Sequence, residues 1–128
     1  MSSWNNTFSF STSWNVSKHT SGKEMVEEII NMGFNRIELN YGVTQEMADE
    51  ILPLVDKGIV NVSSIHNVFP RTENPDYSTD SIFLAHTDHI KRKEAIDITK
   101  KTIDMADMFG AVAVVLHTGQ IPVPVEYD

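Results

Sequence analysis

A chain of 128 residues and 14.4 kDa is one domain's worth of protein, built round one core. Its 41% hydrophobic and 22% charged residues are globular in balance, and a net charge of −8 disfavours a dedicated nucleic-acid module, which must neutralise phosphates with basic side chains. There is no cysteine, which excludes disulfides, iron–sulfur clusters, thiolate zinc sites and cysteine nucleophiles, so any metal must be held by His, Asp and Glu.

Residues 8–14 set bulky or apolar side chains against serines, with the period of a half-buried strand. Ser21 is placed to cap a helix carrying Met25, Val26, Ile29 and Ile30, and Gly33 follows it as a helix C-terminus prefers. Arg36 to Tyr41 reads as a second strand. Thr44 is placed to cap a second helix that carries Met47, Ala48, Ile51, Leu52 and Val55 and ends at Gly58. Pro53 lies inside that helix and is expected to kink or shorten it. Ile59 to Ile65 is rich in β-branched residues and reads as a third strand.

The stretch from Phe69 to Asp80 holds too much Pro, Asn, Asp and Thr for regular structure. The longest helix is expected from Asp88 to Phe109, with Ile90, Ala95, Ile98, Ile103, Ala106 and Phe109 on one side and Gly110 closing it. Val112 to Leu116 is the most continuously apolar strand, a pattern that implies burial on both faces. Ile121-Pro122-Val123-Pro124 begins a loop. Strand and helix therefore alternate, which implies right-handed crossovers and a parallel sheet. Two architectures satisfy this order. One is an open doubly wound sheet; the other is half of a (β/α)8 barrel, whose whole takes about 250 residues.

No apolar run reaches the roughly 20 residues of a membrane span. Met1 to Phe10 lacks a basic-then-apolar signal pattern, so the glycosylation triplets at Asn5, Asn15 and Asn61 read as chance matches. The expectation is a cytoplasmic protein with no membrane partner.

Polar groups fall at the C-terminal ends of the strands, the active edge of either architecture. They are Trp14-Asn15, Glu38 with Asn40, His66-Asn67 and His117-Thr118. Strict alternation places Val62, Ser64 and His66 on one face of the third strand, and Ala113, Val115 and His117 on one face of the fourth. Matched registers would let His66 and His117 converge on one ion or substrate, although a strand-end histidine is also a common structural hydrogen-bonding residue. Imidazole is a good ligand for zinc, manganese or iron, but two imidazoles need further ligands to close a site.

Glu38, between Ile37 and Leu39, is costly to bury without a partner. It either serves a substrate hydroxyl, a histidine or a metal, or is satisfied by Arg36 or a backbone amide. Trp14 reads equally as a pocket wall for a sugar ring and as core. His86 and His89, among Asp88, Lys91, Arg92 and Lys93, read as a solvated helix start. No glycine-rich phosphate loop, nucleophile elbow or HExxH motif is present.

These segments together resemble the N-terminal half of the xylose isomerase-like superfamily of TIM barrels, which includes sugar isomerases, epimerases and type IV apurinic endonucleases. The carrying pieces are Phe10 to Trp14, Gly33 to Leu39, Ser64 to Asn67, Ala95 to Asp97, Ala106 to Ala111 and Val114 to Gly119. The resemblance spans residues 1–128 as one half-barrel and implies four parallel strands alternating with three helices.

It implies substrate-binding positions at Glu38, His66 and His117, which Trp14 joins by its place at a strand end, with His66 and His117 as metal ligands by likeness to the endonuclease branch. A divalent zinc, manganese or magnesium ion is implied, with catalytic residues expected beyond Asp128 on later strands. The implied function of the complete barrel is metal-dependent isomerisation or epimerisation of a sugar or related hydroxy-carbonyl compound. The alternatives are an apurinic-site endonuclease with a zinc cluster, and an inert half-barrel that acts by self-association, as a homodimer through exposed barrel edges.

Overall fold

The computed structural model describes residues 8–81 and 83–120. Strand β1 (Phe10–Ser11) is followed by α1 (Gly22–Asn31), β2 (Arg36–Leu39), α2 (Gln45–Asp56), β3 (Asn61–His66), α3 (His89–Met108) and β4 (Ala113–Val115). The four strands are parallel and lie side by side in chain order. A doubly wound sheet reverses its strand order at a switch point. No reversal occurs among the described strands, and the arrangement is consistent with a half-barrel. The residues expected to begin a loop at 121–124, and the triplet at Asn5, lie outside the described residues.

One face of the sheet carries the core. Ile37 and Leu39 of β2 and Val62 and Ile65 of β3 join Met25, Val26 and Ile29 of α1, Met47, Ala48 and Ile51 of α2, and Ala106 and Phe109 from α3 and its end. The opposite face presents Ser11, Glu38, Ser64, His66, Ala113 and Val115, with no layer over it among the described residues. The expected burial of β4 on both faces is therefore corrected: Ala113 and Val115 are exposed and only Val114 turns toward the core.

The helix starts follow their caps. Ser21 Oγ accepts from Glu24 N, Thr44 Oγ1 from Met47 N, and Asp88 Oδ1 from Ile90 N. The turn after α1 needs Gly33 at φ 95°, a conformation that L side chains avoid. Gly22 serves another purpose. A Cβ there would stand 2.2 Å from the carbonyl oxygen of Met47, so α1 and α2 touch through bare backbone.

Three further expectations are corrected. Residues 12–14 form a 3-10 turn rather than a strand, because Ser11 Oγ accepts from Ser13 N and Thr12 Oγ1 is drawn inward to accept from Asn40 N. Helix α2 runs through Pro53 to Asp56, so the proline does not cut it short. The buried stripe of α3 is Ala95, Thr99, Thr102 and Ala106, not Ile90 and Ile103, which are exposed. Residues 69–80 are irregular as expected, apart from one 3-10 turn at Pro75–Tyr77. No described helix is long and apolar enough to cross a membrane.

Candidate functional site

The register of β3 against β2 decides which side chains share the open face. Ile37 pairs with Val62, but Glu38 pairs with Ser64, so Ser63 is an extra residue in β3. This bulge lets Val62 and Ile65 both face the core. It separates Val62 from Ser64 and His66, which corrects the single face expected from strict alternation. Ser63 uses its hydroxyl to donate to Ile37 O at 3.0 Å.

Glu38 thus sits in the middle of the open face, half-buried. Ser11 Oγ donates to its Oε1 at 2.9 Å and Ser64 Oγ to its Oε2 at 3.4 Å. The carboxylate is held by two neighbouring strands, and the partners are hydroxyls, not the Arg36 or backbone amide considered from sequence.

At the C-terminal end of the same face, the rings of His66 and His117 meet edge to face with centroids 4.9 Å apart. Tyr41, just after β2, packs against the other side of His66 at 5.1 Å. Each histidine has one nitrogen fixed. His66 Nδ1 lies 2.9 Å from Asn67 O, which can only accept, so Nδ1 carries the proton. His117 Nδ1 donates to Asp80 Oδ1 at 2.9 Å. In the neutral form of either ring the lone pair would then lie on Nε2.

Behind His66 stands a buried polar knot centred on Asn67. Its N–H donates to Val115 O at 2.9 Å, tying β3 to β4 beyond the strand ends. Its carbonyl also accepts from Thr79 Oγ1. Its amide donates to Thr99 Oγ1 at 3.2 Å and accepts from Thr102 Oγ1 at 2.8 Å. Thr79 and Thr102 in turn accept from Val68 N and Phe69 N, both at 3.0 Å. Asn67, Val68, Phe69, Thr79, Thr99 and Thr102 are all buried, so the network satisfies backbone that would otherwise be costly. It is also the anchor of the irregular segment that carries Asp80 to His117.

Trp14 stands apart. Its ring packs edge-on against Phe10 at 5.5 Å, and Lys18 Nζ lies 3.9 Å above it. No hydrogen bond or ring contact joins it to Glu38, His66 or His117 among the described residues. The adjacent Asn15 is fully buried and donates to Met25 O and Glu28 Oε2, both at 2.9 Å, while His19 Nε2 meets the same carboxylate at 2.7 Å. This cluster fastens the loop after β1 to α1. It lowers the Glu28 pKa, chiefly through the Asn15 amide and then through His19.

Of the four positions expected from sequence, the fold therefore brings His66 and His117 into contact, sets Glu38 on their face, and leaves Trp14 in a different set of contacts. Among the described residues no three His, Asp or Glu side chains converge as a ready metal cage. His86 and His89 lie at a solvated helix start as expected, with Asp88 N donating to His86 Nδ1.

Periodicity does not single out Tyr41, Asn67 or Asp80. The one available signal is the position of Asn67 between a strand-end histidine and an irregular segment. Comparisons with protein-family models, with curated proteins and with solved structures found none that matches this chain.

Proposed function

We propose that these strands are the first four of a xylose isomerase-like (β/α)8 barrel. In the complete barrel they serve a metal-dependent isomerase or epimerase acting on a sugar or related hydroxy-carbonyl compound. The observation that carries this reading is the 4.9 Å contact of His66 with His117 at the ends of adjacent parallel strands, each with Nδ1 occupied.

The donor chemistry fits a divalent ion. Each ring is oriented by an oxygen on Nδ1, which directs Nε2 to serve as the ligating nitrogen, the usual support for a metal-ligating histidine. His66 and His117 would hold the ion, and later strands would complete its shell. When bound, such an ion polarises the adjacent oxygens of a hydroxy-carbonyl unit. Glu38 accepts hydrogen bonds from substrate hydroxyls along the open face, with Ser11 and Ser64 fixing its orientation. Tyr41 holds the His66 ring against rotation and keeps water from that side. The carboxylate that moves the proton belongs to a later strand.

Calorimetric titration with zinc and with manganese tests the metal part, and ketose turnover tests the chemistry. The expected result is divalent-ion binding that His66→Ala and His117→Ala each abolish. A protein that binds neither ion, and whose turnover of ketoses is untouched by His66→Ala, would sink the proposal.

A second reading rests on a different observation. Val112 is 84% exposed, and Val115 and Leu116 are also open at the β4 edge, which leaves apolar surface and unpaired backbone together. Self-association of two half-barrels through these edges covers both. Sedimentation showing a dimer that Leu116→Lys dissolves supports it, and a monomer at all concentrations removes it. The endonuclease alternative finds no support in a net charge of −8; binding of abasic duplex DNA that weakens steeply with salt would restore it.

A further inference from the structure

Beside Tyr41 lies a cavity of about 410 Å³. Tyr41, Arg71, Glu73 and Tyr77 line it. Its size suits a compound of sugar dimensions, and its make-up of aromatic walls with a few convergent polar groups is that of a small-molecule site.

Arg71 is the informative residue. The segment after β3 is fixed beneath it, because Arg71 N donates to Val43 O at 2.8 Å. Among the described residues the ion pairs are His19 with Glu28, Lys23 with Glu27 and His117 with Asp80, so the Arg71 guanidinium has no acid partner. In a chain carrying 18 acidic against 10 basic side chains, an uncommitted guanidinium on a cavity wall calls for an anion. Its planar fork matches the oxygens of a carboxylate or phosphate. Glu73, which also lines the cavity, is an acceptor for hydroxyls, and Tyr41 and Tyr77 supply aromatic lining for the carbon chain.

We propose that this cavity is the subsite for the acidic end of the substrate: an oxyanion, borne by a phosphate ester or a carboxylate of a polyhydroxy compound, bound by Arg71. Tyr41 is shared by the cavity and His66. A ligand anchored at Arg71 therefore extends past Tyr41 toward His66 and His117. The direction of that extension rests on the isomerase reading; the anion subsite does not.

The test is an amide-resolved NMR titration with D-fructose 6-phosphate, D-gluconate and D-fructose. The expected result is tighter binding of at least one acidic probe than of D-fructose, with shifts at Arg71, Thr72 and Tyr77. Arg71→Gln weakens that probe at least tenfold and leaves D-fructose unchanged, and Arg71→Lys falls between. Which acidic probe binds decides between phosphate ester and carboxylate. Arg71 is exposed, so the variants keep the fold, and their own spectra verify it.

Acidic probes that bind no tighter than D-fructose, or that ignore Arg71→Gln, overturn the subsite. Acidic probes that bind through Arg71 in a protein that binds neither zinc nor manganese overturn the metal-dependent isomerase reading and leave the subsite standing. Zinc or manganese binding that needs His66 and His117, with acidic probes indifferent to Arg71→Gln, does the reverse.

Discussion

Ser64 of β3, and not Ser63, stands opposite Glu38 of β2. The two apolar residues that flank the serines, Val62 and Ile65, are both buried, and a strand can bury residues three apart only if it carries an extra residue between them. The bulge is thus the device that turns His66 onto the open face. Ser63 supports it through the hydrogen bond to Ile37 O. Ser63→Ala is expected to cost about 1 kcal/mol, read as a lower urea midpoint at unchanged slope, while the His66–His117 contact persists in NMR.

Gly22 predicts a larger loss from a smaller change. The methyl of Gly22→Ala would meet the Met47 carbonyl at 2.2 Å, where backbone must move because no flexible side chain can give way. Overpacking of this kind costs roughly 1–3 kcal/mol. Gly33→Ala, in contrast, meets nothing within 4 Å and pays only for its φ of 95°, so urea unfolding of the two variants separates crowding from backbone strain.

Thr102→Val keeps shape and removes a hydroxyl. Phe69 N–H and Asn67 Oδ1 then lose a buried partner together. An unmatched buried polar group costs about 1–3 kcal/mol, and the effect should concentrate in the segment after β3. Hydrogen exchange is the direct readout: the amides of Val68 and Phe69 lose protection, and those of α1 keep theirs.

Acid sensitivity should follow two glutamates. Glu28 is lowered by the Asn15 amide and then by His19, and Glu50 by the Ser21 hydroxyl and then by the Lys23 amide. A carboxyl lowered in the folded state contributes stability that is present above its unfolded value and lost as pH falls through the folded one. Glu28→Gln and Glu50→Gln should therefore each flatten the fall in urea midpoint between about pH 6 and about pH 3. A parallel acid limb in both variants would remove these residues as its cause.

Asp80 tests the proposed metal site without touching a ligand. It orients His117 from an exposed position, so Asp80→Ala should leave the unfolding midpoint nearly unchanged. Zinc affinity should fall by about 10- to 100-fold in calorimetry, the usual loss for such a supporting carboxylate.

Much of this fold was legible in the sequence because it depends on local chemistry. Ser21, Thr44 and Asp88 announce helix starts by hydroxyl or carboxylate capping, and Gly33 announces an end by conformation alone. The faces of the elements were less legible. Val62-Ser63-Ser64-Ile65 hides its bulge because the two serines are chemically alike and only pairing with Glu38 tells them apart. The stripe of α3 contains Thr99 and Thr102 for the sake of Asn67, a partner more than 30 residues away, and a periodicity of apolar residues passes over it. The His66–His117 pair could be expected from strand ends, but Tyr41 and Asp80 come from irregular segments whose course only the tertiary structure fixes.

The agreement of strand order with chain order bears on how this domain is made. Each strand pairs with the strand that precedes it in the chain, so no strand must be inserted between two that have already paired. Such a sheet can therefore assemble progressively from its N-terminal end as the nascent chain leaves the ribosome, each addition closing one strand-helix-strand crossover. Adding or removing one strand-and-helix unit at the β4 edge then changes how far the sheet extends without rethreading what has already folded.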